Sequence, residues 1–404
     1  LHAAVLQRLR HVRLSNIDSV AIPGIANLSR FEHVIGVAHL ANRIGFANRC
    51  DERDQLTLTA AALLHDWAIT AFGHLIEEAF KYVGTQFDHE DKLYEIVMME
   101  NSSEIGGIDR QIFRGRETGL GKWAQKVVGP QYVGSLLREI TNCICGKGKF
   151  GRIISGDIDL DNIDNVFRIA FHMGMSFDRE VPLRLASSIV AVRPDDGAAV
   201  FRKEAVRDID MWLDMRRRVY ERLMLAEPDF SAKLMVIYAA IQAYRHKEID
   251  KVDWDMTDNE FINKLSKSSA KECRDTVDRW LVGEYWHTTP LVWMTGERPA
   301  FPAVLAFSER LSEILGRDCF AYCIKDKRDR KLNVYLDNGT TQIAGRESDQ
   351  WLFGVGSPLK KAFTIAESSS ALKFAEQFFN SSFRSKAKPD LESGDQESQQ
   401  SCLL

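Results

Sequence analysis

No apolar run in this 404-residue sequence approaches the roughly 20 residues that a bilayer-spanning helix requires, and no charged start followed by an apolar stretch resembles a signal peptide. The expectation is a chain without a membrane span, working in a cytoplasmic setting. Charge of one sign is missing too: 53 Lys and Arg face 57 Asp and Glu, for a net charge of -4. That balance excludes a global basic field, so nucleic-acid binding is not indicated and would need a local patch. The seven Cys are odd in number and follow no framework spacing, which fits reduced thiols better than disulfides. Cys143 and Cys145 form a lone CxC with no second Cys or His pair nearby, too little for a zinc site. FRGRETGLGKW and CGKGKFG flank cations with glycine, yet neither fits a Walker pattern. No internal repeat is visible, and strand-like alternation is scarce before residue 290. The chain begins at Leu1 rather than Met, which points to a missing N-terminal piece.

What is present is helical periodicity, in a chain long enough for one large domain and a smaller one. Apolar positions recur at helical spacing in Ala3 to Leu14, Phe31 to Phe46, Leu56 to His65, Ile163 to Phe171, Val206 to Leu225 and Phe230 to Tyr244. AVRPDDGAAVF, with Pro194 and Gly197, reads as a loop or short hairpin between helices. From about Asp318 the texture changes: CFAYCIKD, RDRKLNVYLDNG and DQWLFGVG read as short strands joined by charged turns. The fold class is therefore mainly α with a small mixed α/β C-terminal lobe, divided into a core over 1–290 and a lobe over 291–380. Residues 381–404 carry few apolar side chains and are expected to be a disordered tail. The closing SCLL puts Cys402 third from the end, which misses the prenylation pattern.

His65 and Asp66, adjacent at the end of an apolar helix, are an imidazole and a carboxylate that can both ligate one divalent cation. The dipeptide recurs by chance; its company is what matters. His33 upstream and Asp161 downstream lie in amphipathic segments, so two His and two Asp from three helices can converge on one metal. Asp159 and Asp164 flank Asp161 and equally suit capping or pairing at a helix start. His74 and Glu77, three apart, share a helix face, with His89 following in FDHED; a surface His and Glu at that spacing are also common. Arg30 precedes His33 by three, and Arg168 follows Asp161 by seven, two turns along the same face. Arg217, Arg218 and Tyr220 sit in MRRRVYERL, where a run of arginines also reads as a solvated face.

The run QRLRHVRLSNIDSVAIPGIANLSRFEHVIGVAHLA, then ALLHDWAITAFGH, then ISGDIDLDNIDNVFR resembles the HD-domain deoxynucleotide triphosphohydrolases, a group that includes the SAM-and-HD-domain enzyme and bacterial dGTP hydrolases. The similarity extends in order through MRRRVYERL and DMTDNEFINKL to CFAYCIKDKRDRKLNVYL, covering most of residues 1–370. It implies an HD-domain helical core and a divalent metal ion (Mn, Fe, Mg or Zn) held by His33, His65, Asp66 and Asp161. Asp161 is chosen over Asp159 by the register of the family's DxDxxD pattern. It also implies catalytic roles for His74, Glu77 and His89, contacts from Arg30, Arg168, Arg217, Arg218 and Tyr220 to substrate phosphates, and a homo-oligomer. The substrate would be a nucleotide, most simply a (deoxy)nucleoside triphosphate cleaved to nucleoside and triphosphate.

Departures from the pattern leave base and sugar open. Leu14 and Ser15 stand where the family carries a sugar-contacting Gln, Ala68 replaces a Gly, and Ile69 replaces a pocket His. Asn162 replaces a phosphate-binding cation, Asn165 a Tyr that packs by the sugar, and Ile169 an acid. Two alternatives follow: a nucleotide-binding sensor with weakened hydrolysis, or an HD-type phosphodiesterase, against which the missing His at Ile69 argues.

Overall fold

The computed structural model describes residues 2–15, 20–48, 50–98, 112–113, 116–117 and 119–386. The principal helices are α1 (Ala4–Arg8), α2 (Arg30–Asn48), α3 (Glu52–Leu64), α4 (His74–Tyr82), α5 (His89–Met98), α6 (Val133–Ile144), α7 (Leu160–His172), α8 (Val206–Leu225), α9 (Glu227–Arg245), α10 (Phe301–Leu315) and α11 (Ile365–Phe379). Local chemistry marks several starts. Asp51 caps α3 by accepting from the Asp54 amide, and Asp159 caps α7 by accepting from the Asn162 amide. At α11, Thr364 and Glu367 form a reciprocal capping box. None of the helices among the described residues is long and apolar enough to cross a membrane.

The mainly helical fold carries two four-stranded sheets, and beside them Ile112–Phe113 pairs antiparallel with Arg116–Glu117. AVRPDDGAAVF is a hairpin, with β1 (Ile189–Val192) antiparallel to β2 (Ala199–Phe201). The C-terminal strands are β3 (Val292–Thr295), β4 (Phe320–Lys325), β5 (Leu332–Leu336), β6 (Thr341–Ala344), β7 (Gln350–Gly356) and β8 (Phe383–Lys386). One sheet runs β8-β3-β7-β4 and is antiparallel throughout. The other runs β1-β2-β5-β6, with β5 added in parallel to β2.

Two buried apolar clusters result, and neither follows chain order. The first gathers Leu9, Val34, Leu58, Ile140, Ile163 and Trp212 with Leu332, Val334 and Leu336 of β5. The second joins Phe80 of α4 and Phe230 and Ile237 of α9 to Phe307, Phe320 and Trp351. RDRKLNVYLDNG thus leaves its sequence neighbours for the sheet nucleated by the 189–201 hairpin, because Leu332, Val334 and Leu336 share one pleat face and bury it there. The stretch expected to be a disordered tail begins differently: Phe383–Lys386 pairs with β3, while 387–404 lies outside the described residues.

Candidate metal centre and its cavity

Three helices and one tight turn bring the His and Asp side chains together. His33 lies one turn into α2, whose entry is pinned by the Arg30 amide donating to the Val12 carbonyl at 2.9 Å. His65 ends α3, and Asp66 opens the buried turn that leads to α4. That turn closes through Phe72 in the left-handed region at φ 52°, with its amide donating to Asp258 Oδ1 at 2.7 Å. Such a conformation costs a bulky residue about 1–3 kcal/mol and needs surrounding structure to hold it. Asp161 comes from the first turn of α7.

At the centre, His33 Nε2 lies 2.8 Å from Asp161 Oδ1, and His65 Nε2 lies 3.8 Å from the same oxygen. Asp66 Oδ2 is 3.7 Å from His65 Nε2 and accepts from Arg30 Nη1 at 2.6 Å. The rings of His33 and His65 meet edge to face at 5.3 Å. Each imidazole is oriented through its other nitrogen: His33 Nδ1 by Asp164 at 2.8 Å, His65 Nδ1 by the Ala62 carbonyl at 2.9 Å. His65 Nε2 is buried without a hydrogen-bond partner. Outer partners on Nδ1 and a buried, unsatisfied Nε2 beside two carboxylates are the donor set that a divalent cation fits. Burial disfavours charge on His33, but hydrogen bonds and charge from Asp161 and Asp164 push it up to about 9. Burial also works against the Asp66 carboxylate, yet the Arg30 guanidinium holds it well below the ordinary range.

Both readings of the flanking acids hold at once: Asp159 caps α7, and Asp164 orients His33 while accepting Arg168 Nε and Nη2 at 2.8 Å each. Gly36 makes room for that pair. A Cβ there would lie 2.0 Å from Asp164 Oδ1 and 2.7 Å from its Cγ. Gly36→Ala is expected to displace Asp164 from His33 and weaken Mn²⁺ affinity about 10–100-fold with helicity retained, as read by calorimetric titration beside circular dichroism.

A second cluster adjoins the first. Glu77, 3% exposed, accepts from both imidazoles, with His74 Nδ1 at 3.2 Å and His89 Nδ1 at 2.8 Å. Burial opposes the Glu77 charge, yet the two imidazoles hold its carboxyl well below the usual carboxylate range. Burial likewise opposes charge on His89, but Glu77 lifts it to about 9. Stability from the His89 charge is therefore complete below its unfolded value of about 6.5 and is lost as pH rises through about 9. That from the Glu77 carboxylate is complete above about 4.3 and is lost as pH falls toward its lower folded value. Thermal melts should show wild type exceeding Glu77→Gln most between about pH 5 and 6.5, with the gap shrinking toward pH 10.

Both clusters open into one cavity of about 320 Å³. His33, His65, Asp66, Asp161, Arg30, His74, His89 and Tyr220 line it, and Glu77 stands behind His74 and His89. Arg168, Arg217 and Arg218 do not line it. Arg168 is engaged by Asp164 and Glu32, Arg217 by Asp329 at 3.2 Å, and Arg218 faces Asp214 at 4.0 Å. The sequence reading missed Glu78, Glu90, Lys233, Tyr322 and Lys327, all of which line the cavity. Lys233 left a signal, a lone charge inside the apolar run FSAKLMVIYAA. Residues 114, 115 and 118 of FRGRETGLGKW lie outside the described residues. The Cys of the CxC are free thiols whose pKa burial pushes up to about 12 at Cys143 and about 11 at Cys145.

The chain is similar in sequence to two uncharacterized proteins and, in part, to one domain family. The uncharacterized protein MJ1154 of Methanocaldococcus jannaschii is 22% identical over 346 residues, covering 83% of this chain and 68% of its own length. YwfO of Bacillus subtilis, also uncharacterized, is 26% identical over 238 residues, which is 57% of this chain and 48% of YwfO. The chain thus spans only about half of the latter relative. Residues 30–108 match the family model of the HD domain, a span that holds Arg30, His33, His65, Asp66, His74, Glu77 and His89. The chain carries an HD domain, and with it the mark of a metal-dependent phosphohydrolase.

Proposed function

We propose that this protein is a metal-dependent nucleotide phosphohydrolase, a (deoxy)nucleoside triphosphate triphosphohydrolase that releases nucleoside and triphosphate. The observation that carries the reading is the pair of oriented imidazoles, His33 and His65, whose Nε2 atoms converge with Asp161 at the wall of a cavity lined in part by the HD-domain residues. His33, His65, Asp66 and Asp161 would hold the divalent cation. A cation there supplies charge neutralisation at phosphate oxygens and lowers the pKa of water.

The chain's own groups do the rest. Arg30, fixed by Asp66 and by the Leu14 carbonyl at 3.4 Å, keeps the metal carboxylate aimed. His74 has Nδ1 engaged by Glu77, which turns its Nε2 outward to pass a proton to the leaving oxygen. His89 shares that carboxylate, so Glu77 sets the orientation of both rings. Leu14, Ile144, Ile154, Ile169 and Ile324 give the cavity its apolar surface and exclude water from around a bound base or sugar.

The test is incubation with Mn²⁺ and a panel of ribo- and deoxynucleoside triphosphates, with products separated by ion exchange. Nucleoside and triphosphate are expected, and chelation should abolish both. Diphosphate and phosphate alone would contradict the site of cleavage. The cavity does carry Asn162 and Ile169 where the resembling enzymes have a cation and an acid, which favours as a second reading a sensor that binds nucleotide without efficient turnover. Binding at stoichiometric protein with no product would select it.

A further inference from the structure

We propose that Glu78, held by Tyr322, reads the 3′-hydroxyl of the substrate's sugar; this rests on the nucleotide reading above. The two residues reach the cavity from distant parts of the chain, Glu78 from α4 and Tyr322 from β4, and both line its wall. Tyr322 Oη donates to Glu78 Oε2 at 2.7 Å, across 244 residues of sequence. Glu77 and Glu78 are adjacent carboxylates with different commitments. Glu77 is buried and spent on His74 and His89, whereas Glu78 is half-buried and keeps Oε1 without a hydrogen-bond partner among the described residues. An ionised carboxylate only accepts, so the group it reads must be a donor. Its charge also repels phosphate, which leaves the nucleoside end of the substrate as the part it can meet.

Position along α4 selects the donor. His74 and Glu78 are four apart on the helix and so are neighbours on one face, about 5–6 Å apart at Cβ. His74 is the group assigned above to the leaving 5′-oxygen. The 3′-carbon of the sugar is bonded to the carbon that carries the 5′-CH₂, so its hydroxyl lies within that reach, while the 2′-hydroxyl and the base edge lie farther along the nucleoside. Tyr322 is packed to hold the carboxylate still. It is 3% exposed, its ring centroid is 5.4 Å from that of Phe230, and its strand partner is Gly354 of β7. A Cβ at Gly354 would lie 2.9 Å from Phe230 Cε1, so the missing side chain lets Phe230 close on the sheet. Burial and the Glu78 charge push the Tyr322 phenol well above the usual tyrosine value, which keeps its proton on and the donation to Glu78 intact. An acceptor fixed in this way loses little freedom on taking a hydroxyl.

The experiment compares the 2′-deoxy, 3′-deoxy and 2′,3′-dideoxy nucleoside triphosphates of the base that the panel above selects, with Mn²⁺-supplemented protein, by kcat/KM where product forms and by calorimetric affinity where none does. Wild type is expected to favour the 2′-deoxy nucleotide, which alone of the three keeps the 3′-hydroxyl, over the other two by about 10–100-fold. Glu78→Ala should bring that ratio close to one, and Tyr322→Phe, which keeps the ring, should reduce it about fivefold. The ratio separates recognition from damage to the fold, because a loosened cavity weakens all three nucleotides together. Equal handling of the three by wild type, or a preference that survives in Glu78→Ala, would overturn the proposal and leave the phosphohydrolase reading standing. Wild type that neither cleaves nor binds any member of the panel would overturn that reading, and this assignment with it.

Discussion

Asp66→Ala is expected to abolish the proposed hydrolysis and Mn²⁺ binding and also to destabilise the fold by about 3–5 kcal/mol. The two effects have separate causes. The carboxylate is a ligand on the proposed assignment, and ligands matter at least as much as the outer partners whose loss costs about 10–100-fold. It is also the counter-ion of Arg30, which is 5% exposed and whose Nε already lacks a partner. Removing Asp66 leaves a buried guanidinium uncompensated. A double variant, Arg30→Met with Asp66→Asn, should therefore recover much of the stability in urea titrations and none of the Mn²⁺ affinity. Recovery of both would show that Asp66 serves the fold alone.

Arg8→Met comes next in size. The Arg8 side chain, 4% exposed, donates to five carbonyls: Trp67 at 3.3 Å, Ile69 at 2.6 Å, Trp254 at 2.9 Å, Asp255 at 2.7 Å and Met256 at 3.0 Å. The first two belong to the turn directly after His65 and Asp66, so one guanidinium staples the ligand-bearing turn to the 254–256 segment. Two buried and three partly buried acceptors would lose a charged donor, at a cost of about 3–5 kcal/mol. The loosened turn should lower Mn²⁺ affinity about tenfold or more. Denaturant titration and Mn²⁺ calorimetry read the two separately. Arg8→Lys should recover little, because one ammonium cannot reproduce the planar fork.

Much of this was legible beforehand because helical periodicity is local. The segments Phe31 to Phe46, Leu56 to His65 and Val206 to Leu225 fall within or beside α2, α3 and α8, with ends adjusted by caps such as Asp51. Residue type and helical pattern could offer His33, His65, Asp66 and Asp161 as a set able to converge, and the resemblance implied them as ligands, but spacing cannot say that residues 33 and 161 meet. Arg217 and Arg218 mark the limit. Their place on α8 was readable, but their partners were not: Asp329 lies 112 residues away and is brought there by the loop between β4 and β5. Lys327 left no sequence signal, because a Lys in a charged turn has no periodic context. The pairing of β5 with β2 was hidden for a related reason, as a short apolar strand suits either of two sheets until tertiary packing selects one.

The span between partners has a consequence in time. His33 and Asp161 are 128 residues apart, and Arg8 meets Met256 across 248. Single helices form within about a microsecond, but contacts of that sequence separation must wait for docking of whole segments. No local stretch of the unfolded chain brings residues 33, 65 and 161 together, so a cation at the proposed centre would bind only after the helices have assembled. Its hold would then be on the finished molecule: a latch against unfolding rather than a template for folding.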